Sequence, residues 1–167
     1  MLLRSGVMES TTDTQKYLIK AIEAAYGLRT SEAISQFVHE SLVCMPEADW
    51  ISAHLRIKRW QDIPNRLIDE LELSEMSPEA FRFFLPRLLT IAVESNDINC
   101  VTDVCMKLCF YRQKDRLKEF YGFIAQPQLG VVLSVLEFLI NRMREFKVYD
   151  VRSDLQFLRS FLAKQTL

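Results

Sequence analysis

The sequence predicts an all-α fold: a compact single-domain bundle of about seven or eight helices with a proline-kinked central helix. Apolar residues recur at three- and four-residue steps along most of the chain, and no run alternates as a strand would. With only 4 glycines and 5 prolines among 167 residues, long helices and short turns are favoured over many tight hairpins. The 49% hydrophobic and 26% charged residues match an ordinary globular domain.

The length of the chain suits one domain with a substantial core. We assign residues 1–11 to a disordered leader and residues 12–167 to a single helical domain. The longest apolar run, residues 129–140, contains Glu137 and is too short to span a bilayer, and the N-terminus does not resemble a signal peptide. Four cysteines, three of them in one predicted helix, indicate free thiols in a reducing cytosol. We therefore expect a cytoplasmic protein with no membrane partner.

Several short helices are predicted in the first half of the chain. Residues 12–15 have the spacing of a capping box, and the helix that follows ends at Gly27. Ser31 begins a second helix, a short third helix starts at Asp49, and Pro64 opens another that runs to residue 71.

The central helix, from Pro78 to about residue 95, has the clearest start in the chain. Ser77 is a natural N-cap, Pro78 stands where proline costs a helix nothing, and Glu79 is favourable near the positive end of the helix dipole. Pro86 lies in the interior, where it removes a backbone hydrogen bond and costs roughly 3 kcal/mol relative to alanine. It predicts a kink.

Four more elements complete the predicted bundle. Asn96 or Asp97 begins the next helix, and residues 112–121 form a charged helix or turn. Pro127 opens the longest helix, which is apolar over a wide sector and should be largely buried. The last helix begins near Ser153.

The cysteines do not have the spacing of a metal site. At about 100° per residue, Cys105 and Cys109 share one face of a helix while Cys100 points away, so the three cannot surround one ion. Cysteine also behaves as a small hydrophobe when it is buried. We therefore expect core packing and no metal.

Other catalytic patterns are also missing. The glycines stand alone, so the chain has no phosphate-binding loop, and we expect no cofactor. His39 and His54 have no ligand spacing. A triad of Cys44, a histidine and an acid could assemble in space, but the sequence has neither a nucleophile elbow nor a glycine-rich oxyanion loop. No catalytic residue is assigned, and we favour a protein that is not an enzyme.

Charge is distributed unevenly, although the net charge is only −1. Residues 1–80 carry 8 basic and 13 acidic groups, and residues 81–167 carry 13 basic and 9 acidic groups. Residues 61–80 contain a single arginine and six carboxylates, which we call the acidic segment: Asp62, Asp69, Glu70, Glu72, Glu75 and Glu79. Such a surface can attract a basic protein, whereas a solvated face is the ordinary alternative.

The two basic stretches, residues 56–60 and 111–118, do not predict nucleic-acid binding. The second is interrupted by Asp115 and followed by Glu119, which is typical of a helix with paired charges. We therefore expect no nucleic-acid partner.

Three stretches carry a family resemblance: Trp60-Gln-Asp-Ile-Pro64, Met76-Ser-Pro-Glu-Ala-Phe-Arg-Phe-Phe-Leu-Pro86, and Phe123-Ile-Ala-Gln-Pro-Gln128 leading into residues 131–139. Together they resemble a bacterial family of uncharacterised all-helical domains with a Trp-acid-Pro stretch, a Ser/Thr-Pro-Glu-Ala-Phe-Arg helix and a glutamine before a buried helix. The similarity covers roughly residues 55–140.

The resemblance implies a compact cytosolic domain without an established reaction, so it transfers no catalytic residue. It marks Phe84, Pro86 and Gln128 as structural. Gln128, near a helix start, is expected to bond an unsatisfied backbone group, with contact to a ligand amide as the alternative.

The favoured function is protein binding, most concretely by a cytosolic immunity protein that masks a basic bacterial toxin with the acidic segment. An enzyme or small-ligand domain with a pocket near Pro86 is one alternative. A structural or regulatory homo-oligomer, marked by an exposed apolar patch around Phe157 and Phe161, is the other.

Overall fold

The architecture is all-α. A computed structural model describes residues 5–28, 59–65, 76–110 and 114–166, and within these ranges it contains six α-helices, two 3₁₀ turns and no strand. The number of helices in the described ranges is thus six and not the seven or eight predicted. The helices predicted from Ser31 and from Asp49, and most of the helix predicted after Pro64, lie outside the described residues.

The α-helices are α1 (Ser5–Tyr26), α2 (Pro78–Glu94), α3 (Ile98–Leu108), α4 (Lys114–Tyr121), α5 (Gln128–Glu145) and α6 (Tyr149–Ala163). The 3₁₀ turns are Trp60–Asp62 and Lys164–Thr166.

Two predicted helix starts and one predicted length differ from the structure. Helix α1 begins at Ser5, ahead of the predicted start at residue 12, so helical backbone extends into the residues assigned to a leader. The domain boundary at residue 12 stays a prediction. Helix α6 begins at Tyr149 rather than near Ser153. The helix after Pro127 has 18 residues and α1 has 22, so α5 is not the longest.

The start of the central helix and that of the helix after it follow local sequence signals. The Ser77 hydroxyl accepts the Ala80 N–H at 3.0 Å, and Pro78 occupies the first position of α2. Asp97 caps α3 by accepting the Asn99 N–H at 2.9 Å. Both predicted starts are confirmed.

Helix α2 is the centre of the domain. It buries 12 of its 17 residues and contacts α1, α3, α4, α5 and the Trp60–Asp62 turn. Pro86 is buried inside this helix, and the Thr90 hydroxyl donates to its carbonyl at 2.8 Å. The kink at Pro86 stays a prediction.

One aromatic ring on α2 joins three parts of the bundle. Phe81 is fully buried and packs edge to face against Phe110, Phe120 and Tyr121, with ring centroids 5.2–5.3 Å apart. Such pairs contribute about 0.5–1.5 kcal/mol beyond their burial. Phe81 therefore holds the chain around the end of α3 and helix α4 against the central helix.

The C-terminal end of α2 is closed by side chains from other helices. Arg142 of α5, only 8% exposed, donates to the carbonyls of Ala92 at 3.3 Å and Ser95 at 2.6 Å. Gln15 of α1 donates to the Val93 carbonyl at 2.7 Å. These last carbonyls have no partner within the helix, and a cation at this end also favours the helix dipole.

Helix α3 ends in the same way. The hydroxyl of Tyr121, which is fully buried, donates to the Leu108 carbonyl at 2.8 Å. Burial raises the pKa of this phenol well above its ordinary value, with further contributions from Cys109 and Tyr26. Tyr121 therefore remains a donor over the physiological pH range.

Replacing Phe81 with alanine tests the aromatic contacts of α2. We expect Phe81→Ala to lower the free energy of unfolding by about 3–5 kcal/mol, because it opens a cavity between three elements. Tyr17, which is 71% exposed, provides the control, and Tyr17→Ala should change that free energy by less than about 0.5 kcal/mol. Urea denaturation followed by circular dichroism measures both. Equal losses in the two variants would contradict the central role of Phe81.

Candidate functional site

The structure describes only the two ends of the acidic segment. Asp62 closes the Trp60–Asp62 turn, and Glu79 stands in the first turn of α2. Asp69, Glu70, Glu72 and Glu75 lie outside the described residues. The six predicted contact residues therefore remain a prediction as a group, while the chain on either side of them can be described.

Asp62 presents an accessible carboxylate. Its side chain is 50% exposed, and one of its oxygens lies 2.9 Å from Nε of Arg59, whose side chain is 53% exposed. Exposed pairs of this kind are worth about 0–1 kcal/mol, so a charged partner can compete for either group at little cost. Glu79 is half-buried and already has an interaction partner. Of these two carboxylates, Asp62 is the more available.

The chain that enters the acidic segment is fixed to the core. Arg87 of α2 donates from Nε to the Ile63 carbonyl at 2.9 Å and from Nη2 to the Asn65 side-chain oxygen at 2.8 Å. A third guanidinium nitrogen lies 3.7 Å from a Glu94 carboxylate oxygen. Ile63 is itself fully buried. These contacts fix residues 63–65 relative to the central helix.

The chain that leaves the acidic segment is equally fixed. Met76 is fully buried, and Ser77 caps α2. In the chain, four of the predicted contact residues, Asp69, Glu70, Glu72 and Glu75, lie between these two anchored points, so the chain at both points need not be ordered when a partner binds.

The Trp60–Pro64 motif closes the C-terminal end of α1. Trp60 is 2% exposed, and its indole N–H donates to the Gly27 carbonyl at 2.9 Å. The Gln61 amide reaches the same carbonyl at 3.4 Å. Gly27 has φ +63°, the left-handed conformation in which helices commonly end and which glycine adopts without strain. The motif therefore has a structural role.

Gln128 has the structural role expected from the sequence. Its amide nitrogen donates at 3.3 Å to the carbonyl of Ala25, in the last turn of α1. This carbonyl lies beyond the reach of the hydrogen bonds within the helix, so a side chain from the start of α5 satisfies it.

A groove of about 570 Å³ lies beside the same end of α1. Its described lining consists of Lys20, Glu23, Ala24, Gly27, Leu28, Arg59 and Gln61. This lining contains no serine, threonine, cysteine or histidine, so it offers neither a hydroxyl or thiol nucleophile nor an imidazole base. Among the residues that the structure describes, none donates a hydrogen bond to the buried side-chain oxygen of Gln61. The groove is not predictable from the sequence, because its two walls come from segments more than 30 residues apart in the chain.

The alternative pocket near Pro86 stays a prediction. Pro86 is buried in the core, and the groove is lined by other residues. Gln128 bonds the α1 backbone, whereas Cys44, His39 and His54 lie outside the described residues.

The two residues of the apolar patch predicted for a homo-oligomer are partly buried in the structure. Phe157 and Phe161 are half-buried and pack against the hydrophobic core. The homo-oligomer that an exposed apolar patch around these two residues would mark stays a prediction.

The three described cysteines pack in or against the core. Cys105 and Cys109 are buried, and Cys100 is partly buried against the same core. Burial raises the pKa of the Cys105 thiol to about 12, against a smaller lowering by Arg142. A thiol with so high a pKa is a poor nucleophile at neutral pH. In the described part of the chain no three His, Cys, Asp or Glu side chains are grouped as a metal site.

The described helices were also compared with the length and hydropathy of a membrane-spanning helix. Among the helices within the described ranges, none is both long enough and apolar enough to cross a bilayer.

Thiol accessibility can be tested by alkylation. At pH 8 in the native state, iodoacetamide should modify Cys100 well before Cys105, since Cys105 is buried and has a pKa of about 12. Peptide mapping by mass spectrometry reports each cysteine separately, and labelling in urea provides the fully accessible reference. Equal native rates at the two positions would show that the α3 face is not buried as described.

The structural role of the Trp60–Pro64 motif predicts a stability effect. Trp60→Phe keeps an aromatic ring but leaves the Gly27 carbonyl without its strongest donor, so we expect a loss of about 1–3 kcal/mol in the free energy of unfolding. Gln61→Met is the control, because it removes only a 3.4 Å bond together with an unsatisfied oxygen, and should be near neutral. Chemical denaturation of both variants measures the difference. An unchanged free energy of unfolding in Trp60→Phe would contradict the structural role of the motif.

Comparison with known proteins identifies a family whose model matches most of the chain. The family of unknown function DUF6714 covers residues 16–161, a wider range than the three stretches that carry the sequence resemblance. No curated protein and no solved structure matches the chain. Because this range includes α2 to α5 completely, half of α1 and most of α6, the chain belongs to family DUF6714, a family of unknown function.

Proposed function

We propose that the chain is a non-catalytic protein-binding protein that contacts a basic partner through the acidic segment. The observation that carries this proposal is the charge of residues 61–80, a stretch whose sequence contains six carboxylates and a single arginine. Few other stretches of the chain have so one-sided a charge, and the total is nearly balanced at −1. The segment is therefore a local feature, separate from the overall charge of the protein.

The geometry around the segment supports a binding role in two ways. Arg87 holds the chain at residues 63–65, and the cap at Ser77 holds it at the start of α2, so part of the entropy cost of binding is met in advance. Asp62 is accessible and its pair with Arg59 is weak, so its charge is available to a partner.

Polar side chains of the motifs that carry the family resemblance meanwhile donate hydrogen bonds within the protein. Trp60, Gln61 and Gln128 donate to carbonyls at the end of α1, and Arg142 donates at the end of α2. The donor groups of these side chains are therefore engaged by backbone carbonyls of the protein itself.

A cluster of carboxylates affects how fast a basic partner associates. Complementary charge steers encounter and raises the association rate, with a strong dependence on ionic strength. A partner that normally binds phosphate, such as a nuclease, would meet a surface that resembles its substrate in charge. The concrete form of the proposal is a cytosolic immunity protein that neutralises a basic bacterial toxin.

Charge reversal tests the proposal. If the chain is an immunity protein, its toxin is expected to be encoded by the neighbouring gene. We expect the triple variant Asp69→Lys, Glu70→Lys and Glu72→Lys to bind that toxin with at least tenfold lower affinity, because attraction becomes repulsion. Affinity is measured by surface plasmon resonance at low and moderate salt, and the association rate of the unmodified protein should fall as salt rises.

The matched control is a second triple variant, Asp13→Lys, Glu145→Lys and Asp150→Lys, which changes the net charge by the same amount at exposed positions elsewhere. It should retain binding. Circular dichroism confirms that both variants are folded. Unchanged binding in the first variant, or equal losses in both, would overturn the assignment of the acidic segment.

The partner itself is sought by capture from the source cell with the purified chain as bait. One basic protein, recovered at low salt and lost with the first triple variant, supports the proposal. The proposal is contradicted if no such protein is captured from the lysate and the product of the neighbouring gene does not bind the chain.

A further inference from the structure

We draw no further inference here: the strongest candidate, the groove between the C-terminal end of α1 and the Trp60–Asp62 turn, carries nothing, because nothing in the structure shows what covers it or which ligand its mixed lining would select.

Discussion

A helix that ends inside a protein must find hydrogen-bond donors for its last carbonyls, and the described helices depend on how that requirement is met. Helix α2 is the most demanding case, because it is buried along most of its length and its final turn cannot rely on water. Arg142 and Gln15 supply the donors there, while Trp60 and Gln128 serve α1 and Tyr121 serves α3. Each donor comes from another element, so the same bonds that satisfy the carbonyls also fix how the elements pack.

The sequence predicts one end of these helices better than the other, for a physical reason. N-terminal caps are local: Ser77 and Asp97 bond backbone N–H groups two or three residues away, so their pattern can be read directly. The C-terminal donors are remote, with Gln128 lying 103 residues from Ala25, and no local pattern announces such a pair. Arg142 did leave a signal, because it stands three residues after Leu139 on the apolar stripe of α5, where a charged residue needs a buried partner.

For the candidate site as well, local features could be predicted from the sequence, whereas contacts between distant stretches of the chain could not. Residue types and spacing predicted that Cys100, Cys105 and Cys109 do not surround one metal ion, because helix geometry alone separates them. They also identified the acidic segment, since charge is visible in any sequence. The anchoring of that segment by Arg87 and the groove beside Gly27 were not predictable, because both join stretches that are distant in the chain. What the fold contributes to the proposed function is thus the anchored chain at residues 63–65 and 76–77, rather than the charge of the segment.

The most direct test of this account is the free energy of unfolding of Arg142→Met measured by urea denaturation beside Arg144→Met. Both residues belong to the last turn of α5, but Arg142 is buried against the end of α2 and Arg144 is exposed. Loss of hydrogen bonds from a charged donor should cost Arg142→Met about 1.5–3 kcal/mol, while Arg144→Met should change by less than about 0.5 kcal/mol. Similar values for the two variants would contradict the claim that donors at buried helix ends hold the bundle together.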